Sequence, residues 1–322
     1  MATTAAIPVK HASRWLGAFA WGVVGYNILV ILWGAVVRAT GSGAGCGDRW
    51  PLCNGDFFPH HPRLATLIEY AHRSMTGVCT FLVVALVVWA FYATEKGHRA
   101  RKAAVASAVF LVTEALLGAV LVLGGYVERN ISTARVVMQS VHFTNTLLLL
   151  GALTMTAWWL SDIKWQEISS PRRKQSLVGP VWIAVVATMV VGATGSLAAL
   201  ADTLFPSPSL RAALASDFAA SSPLLVRMRW MHPAAAVVGF CCVLWVAMQV
   251  RSRLGWLVAS LLALQFILGA GDVLLLAPVW MQILHLLGAD IYWVALVALA
   301  TGVIWPKAGA STHSMPKIST RS

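Results

Sequence analysis

Charged residues are scarce in this sequence: Asp, Glu, Lys and Arg make up only 11% of its 322 residues, whereas 58% are hydrophobic. A soluble domain carries about a quarter charged residues. It also has no use for so much apolar surface, because its exterior must meet water, whereas an exterior that faces lipid does. The scarcity of charge therefore excludes an ordinary soluble fold and predicts an all-α integral membrane protein.

Acidic residues are the rarer charge, 12 against 24 basic residues, which gives a net charge of +12. This balance alone is compatible with nucleic-acid binding, but Lys and Arg stand in short runs between apolar segments, as in cytoplasmic loops. We therefore expect a lipid bilayer around the chain and no nucleic acid as a partner. Since no small-residue cleavage site follows the first apolar segment, we expect that segment to be retained as a helix.

Eight segments have the length of about 20 mostly apolar residues that a membrane-spanning helix needs. They are residues 15–38, 66–92, 103–125, 135–160, 178–201, 225–250, 254–276 and 280–305. Basic residues concentrate at both termini and in alternate connections. This bias predicts a multi-pass protein of the plasma membrane with both termini in the cytoplasm.

The two halves of the chain resemble each other. Residues 36–42 resemble residues 190–196, and Glu114–Ala119 resembles Gln265–Ala270. Both matches join positions that are about 150 residues apart, which indicates one internal duplication. Because each half holds four helices, both halves run in the same direction, and we predict two parallel-repeat four-helix bundles, residues 1–165 and 166–322.

Four of the nine histidines fall near the outer ends of the even-numbered segments, one pair in each half: His72 and His142, then His232 and His285. An ionisable group in a membrane helix is costly and indicates function. A single such histidine can instead merely bond to a backbone carbonyl. The other five lie in loops or termini, where we expect solvated side chains: His11, His60, His61, His98 and His313.

Paired imidazoles that face each other across a helical bundle suit axial ligation of haem iron. Zinc would need three or four ligands, and no cysteine or carboxylate stands in register to complete such a set in both halves. We therefore predict two haem-sized sites, toward the outer side of the membrane.

Carboxylates distinguish the halves. Glu69 precedes His72 by about one helical turn, and Glu114 lies in the third segment, whereas the matching positions in the second half are Arg229 and Gln265. A carboxylate beside a haem edge can move protons or stabilise positive charge, which electron transfer alone does not require. The asymmetry predicts a reaction site in the first half and a cofactor site in the second.

Two features leave more than one interpretation. Glu69 can instead be a structural partner of Arg73 or Arg38. Arg227 and Arg229 lie near the outer mouth of the second half, where haem propionates could meet them.

Cys46 and Cys53 share the first outer loop. The outer side of a bacterial-type membrane is oxidising, so we expect a disulfide there, with either a structural or a redox role. Cys79, Cys241 and Cys242 are expected to be small packing residues. Asp272 and Asp290 are assigned no catalytic role.

Several stretches together resemble the haem A synthase family, over nearly the whole chain. They are Glu69-Tyr70-Ala71-His72-Arg73, the loop from Thr40-Gly41-Ser42-Gly43-Ala44-Gly45-Cys46 through Trp50-Pro51-Leu52-Cys53, Gln139-Ser140-Val141-His142 and His285-Leu286-Leu287-Gly288-Ala289-Asp290. The loop and the segment from Glu69 to Arg73 are the specific parts of this resemblance.

The resemblance implies an enzyme that oxidises a ring methyl of haem O to a formyl group, which gives haem A for cytochrome c oxidase. By it, His72 and His142 hold the substrate haem with Glu69 essential nearby, and His232 and His285 hold a haem b that relays electrons. Glu69 would be available to stabilise positive charge at the oxidised methyl.

The resemblance also implies an outer-loop disulfide between Cys46 and Cys53. Molecular oxygen or water would supply the oxygen atom, with an external electron donor. Haem O synthase, cytochrome c oxidase assembly factors and a second copy of the chain are the partners it suggests. One departure is Pro233, which follows His232 where an arginine like Arg73 is expected and leaves the local helix geometry open.

Two other functions use the same features. A di-haem electron-transfer protein of cytochrome b type would need the four histidines but not Glu69. A transporter built from parallel repeats would place its polar residues near the membrane midplane, whereas here they cluster near the outer ends.

Overall fold

The computed structural model describes residues 14–161 and 171–305, and within these ranges it is helical, without β-strands. The termini and their predicted cytoplasmic location lie outside the described residues. The helices are α1 (Arg14–Ala39), α2 (Leu64–Ala93), α3 (Arg99–Leu123), α4 (Thr133–Leu160), α5 (Pro171–Leu204), α6 (Leu210–Phe218), α7 (Leu224–Arg227), α8 (Met231–Val250), α9 (Arg253–Leu274) and α10 (Val279–Ile304).

Eight spans in the described ranges are long and apolar enough to cross a membrane, with α7 and α8 together forming the sixth. The predicted all-α membrane fold is thereby confirmed. The observed helices depart most clearly from the predicted segments in three places. α5 begins at Pro171, since basic and polar residues extend it past its apolar part. The sixth span is interrupted between α7 and α8. The short helix α6, capped by Ser209, is too polar for a hydropathy criterion to find.

The helices pack as two rings of four. In the first ring α1 and α3 each contact both α2 and α4, so that α2 and α4 lie on a diagonal. In the second ring α5 and α9 each contact both α8 and α10 in the same manner. This order agrees with the two predicted parallel bundles, which remain a prediction.

The centre of the molecule lies where the rings meet. α4 packs against α5 and α10, and α1 also contacts α10. α4 and α10 accordingly carry long buried stretches toward their C-terminal ends. Trp293 packs against Gly151 and donates from Nε1 to the Leu147 carbonyl at 2.9 Å. A small residue thus lets a large ring lie close to the neighbouring helix, as is common in membrane bundles.

Arg38, at the end of α1, connects the two rings through three hydrogen bonds. Its guanidinium donates to the Ala199 carbonyl at 2.6 Å and to Thr203 Oγ1 at 2.5 Å, both on α5. It also donates to Gln282 Oε1 on α10 at 2.7 Å. A charged group this far from bulk water is tolerated because oxygen acceptors surround it.

Arg229 joins the short helix α6 to the rest of the second ring. Its guanidinium lies 2.8 Å from Asp202 on α5 and 2.7 Å from Asp217 on α6. It also donates to the Ala213 carbonyl at 3.1 Å. These contacts hold α6 over the end of the second ring where the connection between α9 and α10 also lies. We call this end of the whole molecule, with residues 40–63, 124–132, 205–230 and 275–278, the site end.

We predict that Arg38→Met lowers the thermal stability of the detergent-solubilised protein. The change leaves the buried Gln282 Oε1 without its charged partner, and a buried polar group so orphaned costs about 1–3 kcal/mol. Thermal unfolding followed by tryptophan fluorescence measures the effect. Arg63→Met is the matched control, because Arg63 is exposed and makes no side-chain cap bond at the start of α2. Equal melting of both variants would show that the rings do not depend on Arg38.

Candidate functional site

The four histidines predicted as ligands all lie near the site end. His72 is on α2, His142 on α4, His232 on α8 and His285 on α10. Each follows the start of its membrane span by six to nine residues, or about 9–14 Å along the helix axis. The structure therefore places them at similar depth, two on the diagonal helices of each ring.

In the second ring the two imidazoles face each other. The ring centroids of His232 and His285 are 6.3 Å apart, and the rings are nearly perpendicular. Two nitrogens that bind one metal from opposite sides are about 4 Å apart, because each metal–nitrogen bond is about 2 Å long. Since each ring centre lies somewhat behind its nitrogen, the separation fits a single iron between the rings.

Every one of the four imidazoles lies against a glycine of the preceding long helix. A Cβ built on Gly34 would lie 3.1 Å from the His72 ring, and on Gly118 3.8 Å from the His142 ring. The corresponding distances are 2.9 Å from Gly195 to His232 and 3.0 Å from Gly269 to His285. Three of the imidazoles thus occupy space that a side chain would need, whereas a Cβ on Gly118 would make only ordinary contact with His142. Both rings place a glycine beside each histidine.

The Nδ1 atoms of three imidazoles have a fixed neighbour. That of His232 lies 3.1 Å from the Val191 carbonyl, that of His142 lies 3.0 Å from Glu114 Oε1, and that of His285 lies 3.1 Å from Gln265 Nε2. A metal-binding histidine commonly donates its second ring N–H to an oxygen, which leaves the other nitrogen for the metal. The oxygen neighbours of His232 and His142 have this polarity, whereas the amide nitrogen beside His285 does not. The bond from His232 to a backbone carbonyl is therefore compatible with ligation.

The Nδ1 atoms of His72 and His142 are buried and have no hydrogen-bond partner among the described residues. For His142 the nearby Glu114 Oε1, at 3.0 Å, lies outside hydrogen-bond geometry. An unpaired buried nitrogen is unusual in a native structure and calls for a physical reason. The donor set, the glycines and the distance in the second ring all fit haem groups held between diagonal histidines.

Glu114 is held firmly on the wall of the first ring. Asn145 Nδ2 donates to its Oε2 at 2.7 Å, and Thr146 Oγ1 donates to its Oε1. Asn145 is itself fixed, since its Nδ2 also donates to the Phe110 carbonyl at 2.9 Å and its Oδ1 accepts from Thr113 at 2.7 Å.

Glu69 is buried, and both of its carboxylate oxygens are occupied. Oε1 accepts from Arg73 at 2.5 Å, and Oε2 accepts from the Cys46 backbone N–H at 2.8 Å. Of the two structural partners considered from the sequence, Arg73 is the observed one, and Arg38 binds α5 and α10 instead. Glu69 therefore connects α2 to the loop that carries the cysteines.

That loop lies against the start of α2. Cys46 and Cys53 form a disulfide, as expected. Arg73 Nη1 donates to the Leu52 carbonyl at 2.6 Å and to the Arg49 carbonyl at 2.8 Å. The backbone approaches so closely at Gly45 that an added Cβ would lie 2.4 Å from the Ala65 carbonyl oxygen. The loop is thus docked on the helix that carries His72.

Two expectations from the sequence require correction. The Arg229 guanidinium is bound by Asp202 and Asp217, so it is not a free partner for propionates, whereas Arg227 is exposed. Cys241 is exposed and is not a packing residue, although Cys79 is buried. Helix packing decides these outcomes, and hydropathy alone does not report it.

Pro233 leaves the geometry around His232 intact. α8 begins at Met231, so the proline lies in its first turn. The N–H groups of a first turn have no partner within the helix, and the missing donor therefore breaks no helical bond. His60 and His61 are exposed in the loop, as expected.

The two aspartates that received no role differ in burial. Asp290 is almost fully buried, and its Oδ2 has no hydrogen-bond partner among the described residues. Asp272 lies at the site end of α9, partly buried. Neither contacts any of the four histidines in the hydrogen bonds of the described chain.

Sequence reasoning missed the glycines behind the histidines and the partners of Arg229. Gly118 and Gly269 did carry a signal, because both fall in the repeat match of Glu114–Ala119 with Gln265–Ala270. Gly34 lies outside the repeat match of residues 36–42 with residues 190–196. Gly195 lies inside that match but is paired there with Gly41, about two helical turns away from the register in which it corresponds to Gly34.

The chain is similar in sequence to several known proteins. The family model COX15-CtaA, described as cytochrome oxidase assembly protein, matches residues 17–297. A protein of Thermus thermophilus called protoheme IX farnesyltransferase is 44% identical over 300 residues, which cover 90% of this chain but only 48% of that protein. The chain thus spans about half the length of this relative.

Two further relatives have lengths close to that of this chain. The heme A synthase of Bacillus pumilus is 30% identical over 295 residues, which cover 82% of this chain and 86% of that protein. The heme A synthase of Bacillus mycoides is 29% identical over 280 residues, with 80% and 83% covered. Since the family model spans most of the sequence, the chain belongs to the COX15-CtaA family of cytochrome oxidase assembly proteins.

Proposed function

We propose that this chain is a haem A synthase, a membrane enzyme of haem A biosynthesis that oxidises a ring methyl of haem O to a formyl group. The product, haem A, would serve cytochrome c oxidase. The observation that carries the proposal is the set of four imidazoles on diagonal helices, each against a glycine. Family membership and the named heme A synthase relatives support it.

The two rings have different roles in this proposal. His72 and His142 hold haem O in the first half, residues 1–165, because Glu114 lies beside His142 there whereas the matching side chain beside His285 is the uncharged Gln265. His232 and His285 hold haem b in the second half, residues 166–322, which relays electrons. Iron with molecular oxygen as the oxidant would supply the chemistry that an unactivated methyl group requires, and the external donor would supply the electrons that reduce the second oxygen atom to water. If water supplied the oxygen atom, the electrons of the methyl group would have to pass to an acceptor instead.

The farnesyltransferase name of the Thermus relative does not transfer readily. That protein is about twice as long as the stretch that this chain matches. The heme A synthases of both Bacillus species, in contrast, are matched over more than four fifths of their length. The extent of the matches therefore favours the synthase over prenyl transfer.

The proposed orientation puts the site end on the outer side of the plasma membrane. Lys96, Arg99, Arg101 and Lys102 lie in or beside the connection from α2 to α3, at the opposite end. By the bias of basic residues toward the cytoplasm, that opposite end faces inward. The enzyme that makes haem O and oxidase assembly factors are the proposed partners, and a homo-oligomer is compatible with the same orientation.

Glu69 is proposed as essential through the loop that it holds. Its carboxylate is bound by Arg73 and by the Cys46 amide, so it fixes the disulfide loop to the helix that carries His72. These contacts support a role of Glu69 in positioning the loop above the first-half site. Stabilising charge on the substrate would require Glu69 to leave them.

The main prediction from the proposed function concerns the reaction. A host that makes haem O but no haem A, expressing this chain, is expected to accumulate haem A, which extraction and mass analysis would detect. His72→Ala and His142→Ala should abolish the product, and Glu69→Gln should strongly reduce it. His60→Ala, a change of an exposed loop histidine, should leave it unchanged.

The alternative functions give different results when the haems are extracted and analysed in the same way. Bound haem b with untouched haem O, in a folded protein under oxygen, would support the electron-transfer function and overturn the synthase. Haem O made by the chain in a host without its own haem O synthase would indicate prenyl transfer. Full turnover by Glu69→Gln would remove the proposed role of that residue.

A separate prediction concerns the disulfide loop. Gly45→Ala is expected to push the loop off α2, because the new Cβ meets a backbone oxygen at 2.4 Å. Losing the bond from Cys46 to Glu69, a hydrogen bond to a charged group worth about 1.5–3 kcal/mol, should speed reduction of the disulfide by about tenfold or more. Thiol labelling after mild reductant treatment measures the rate.

Gly77→Ala is the matched control for this change. Gly77 lies on α2, the helix on which the loop is docked, and nothing lies within 4 Å of a Cβ at that position. Equal reduction rates in Gly45→Ala, the control and the unmodified protein would mean that the loop is held by other contacts.

A further inference from the structure

The two rings place different side chains at the same point behind one histidine of each pair. In the first ring Glu114 Oε1 lies 3.0 Å from His142 Nδ1. In the second ring Gln265 Nε2 lies 3.1 Å from His285 Nδ1. Each of these side chains stands one helical turn before the glycine that faces the same imidazole, Gly118 or Gly269. The contact is therefore a shared element of both sites, with a carboxylate in one and an amide in the other.

The contact between Glu114 and His142 in the first ring is supported by further hydrogen bonds. Asn145 and Thr146 on α4 both donate to the Glu114 carboxylate, and these bonds orient one oxygen toward His142. Asn145 is in turn bonded to Thr113 and to the Phe110 carbonyl on α3. A carboxylate held by this network cannot easily turn away from the imidazole.

The second-ring contact has the opposite polarity. The Gln265 amide nitrogen donates to the His285 carbonyl at 2.8 Å and lies 3.1 Å from His285 Nδ1 and 3.4 Å from His285 Nε2, so Gln265 offers the imidazole no oxygen acceptor. An amide carries no charge and presents no acceptor at this position. His285 therefore lacks the negative neighbour that His142 has.

A carboxylate next to Nδ1 makes the opposite nitrogen of an imidazole a stronger donor to a metal. A stronger axial donor stabilises ferric over ferrous iron, and hydrogen bonding around the axial ligand is one of the ways in which proteins set haem potentials. Because the pair lies within a membrane-spanning bundle, the interaction is less screened than in water.

We propose that Glu114 is a positioning residue that strengthens His142 as an iron ligand and lowers the reduction potential of the first-half haem, while Gln265 withholds this effect from the second-half haem. The inference rests on the proposed function, because it takes His142 and His285 as haem ligands. It assigns the chemical difference between the two sites to a single pair of side chains.

The experiment measures midpoint potentials of both haems in the purified, haem-loaded protein, together with the axial-ligand spectrum of each. Glu114→Gln should raise the potential of the first-half haem. If the ratio of ferric to ferrous affinity changes about tenfold, as second-shell changes commonly do, the shift is about 59 mV for one electron. The second-half haem should keep its potential.

The reciprocal variant Gln265→Glu keeps the test decisive if Glu114→Gln folds poorly. It should lower the potential of the second-half haem and leave the first unchanged. Glu95→Gln is the matched control, because it removes the same charge from an exposed residue at the opposite end of the molecule, and it should move neither potential.

Failure of this inference and failure of the proposed function give different results. If the protein binds no haem that depends on His142, so that His142→Ala loses none, the assignment of the ligands is overturned, and with it the proposed function. Haem bound through His142 whose potential and ligand spectrum are the same in Glu114→Gln and in the unmodified protein would overturn the role of Glu114 alone. Unchanged second-half values in Gln265→Glu would overturn it likewise.

Discussion

The absence of water around membrane helices is the constraint on which the rest of this structure depends. A polar group inside the bilayer must find its partners within the protein, because an unsatisfied group there costs several kcal/mol. Arg38 meets this requirement by crossing to α5 and α10, and in doing so joins the two rings. Glu69 meets it through Arg73 and the Cys46 amide, which docks the disulfide loop. The architecture around the histidines thus follows from where polar side chains can be satisfied.

The fold and the four histidines could be predicted from the sequence because both depend on local pattern. Apolar length defines a span whatever it packs against, and an isolated imidazole stands out in such a span. Contacts between distant helices left no such pattern. Nothing in the residues around Gly195 indicates that His232 lies against it, and nothing around Asp202 or Asp217 indicates that Arg229 binds both. The register of α1 against α5 was also hidden, because apolar helical sequence resembles itself when displaced by two turns.

The two candidate sites share a scaffold and differ in a few polar side chains. Each has diagonal histidines, a glycine behind every imidazole, and a side chain from the third helix of its ring next to one Nδ1. The first ring adds Glu69, Glu114 and the docked loop, whereas the second adds the short helix α6 bound by Arg229. A common frame with different polar groups is a physical basis for one reaction site and one cofactor site in a single chain.

The packing of α4 against α10 across the centre of the molecule has an evolutionary consequence. If the halves arose by duplication, these helices are copies of one ancestral helix, and their contact descends from the self-association of a four-helix protein in a symmetric pair. In such a pair every substitution occurs in both subunits, so two sites could never diverge. Joining the copies in one chain removed that restriction and allowed one site to exchange a carboxylate for an amide while its twin retained it.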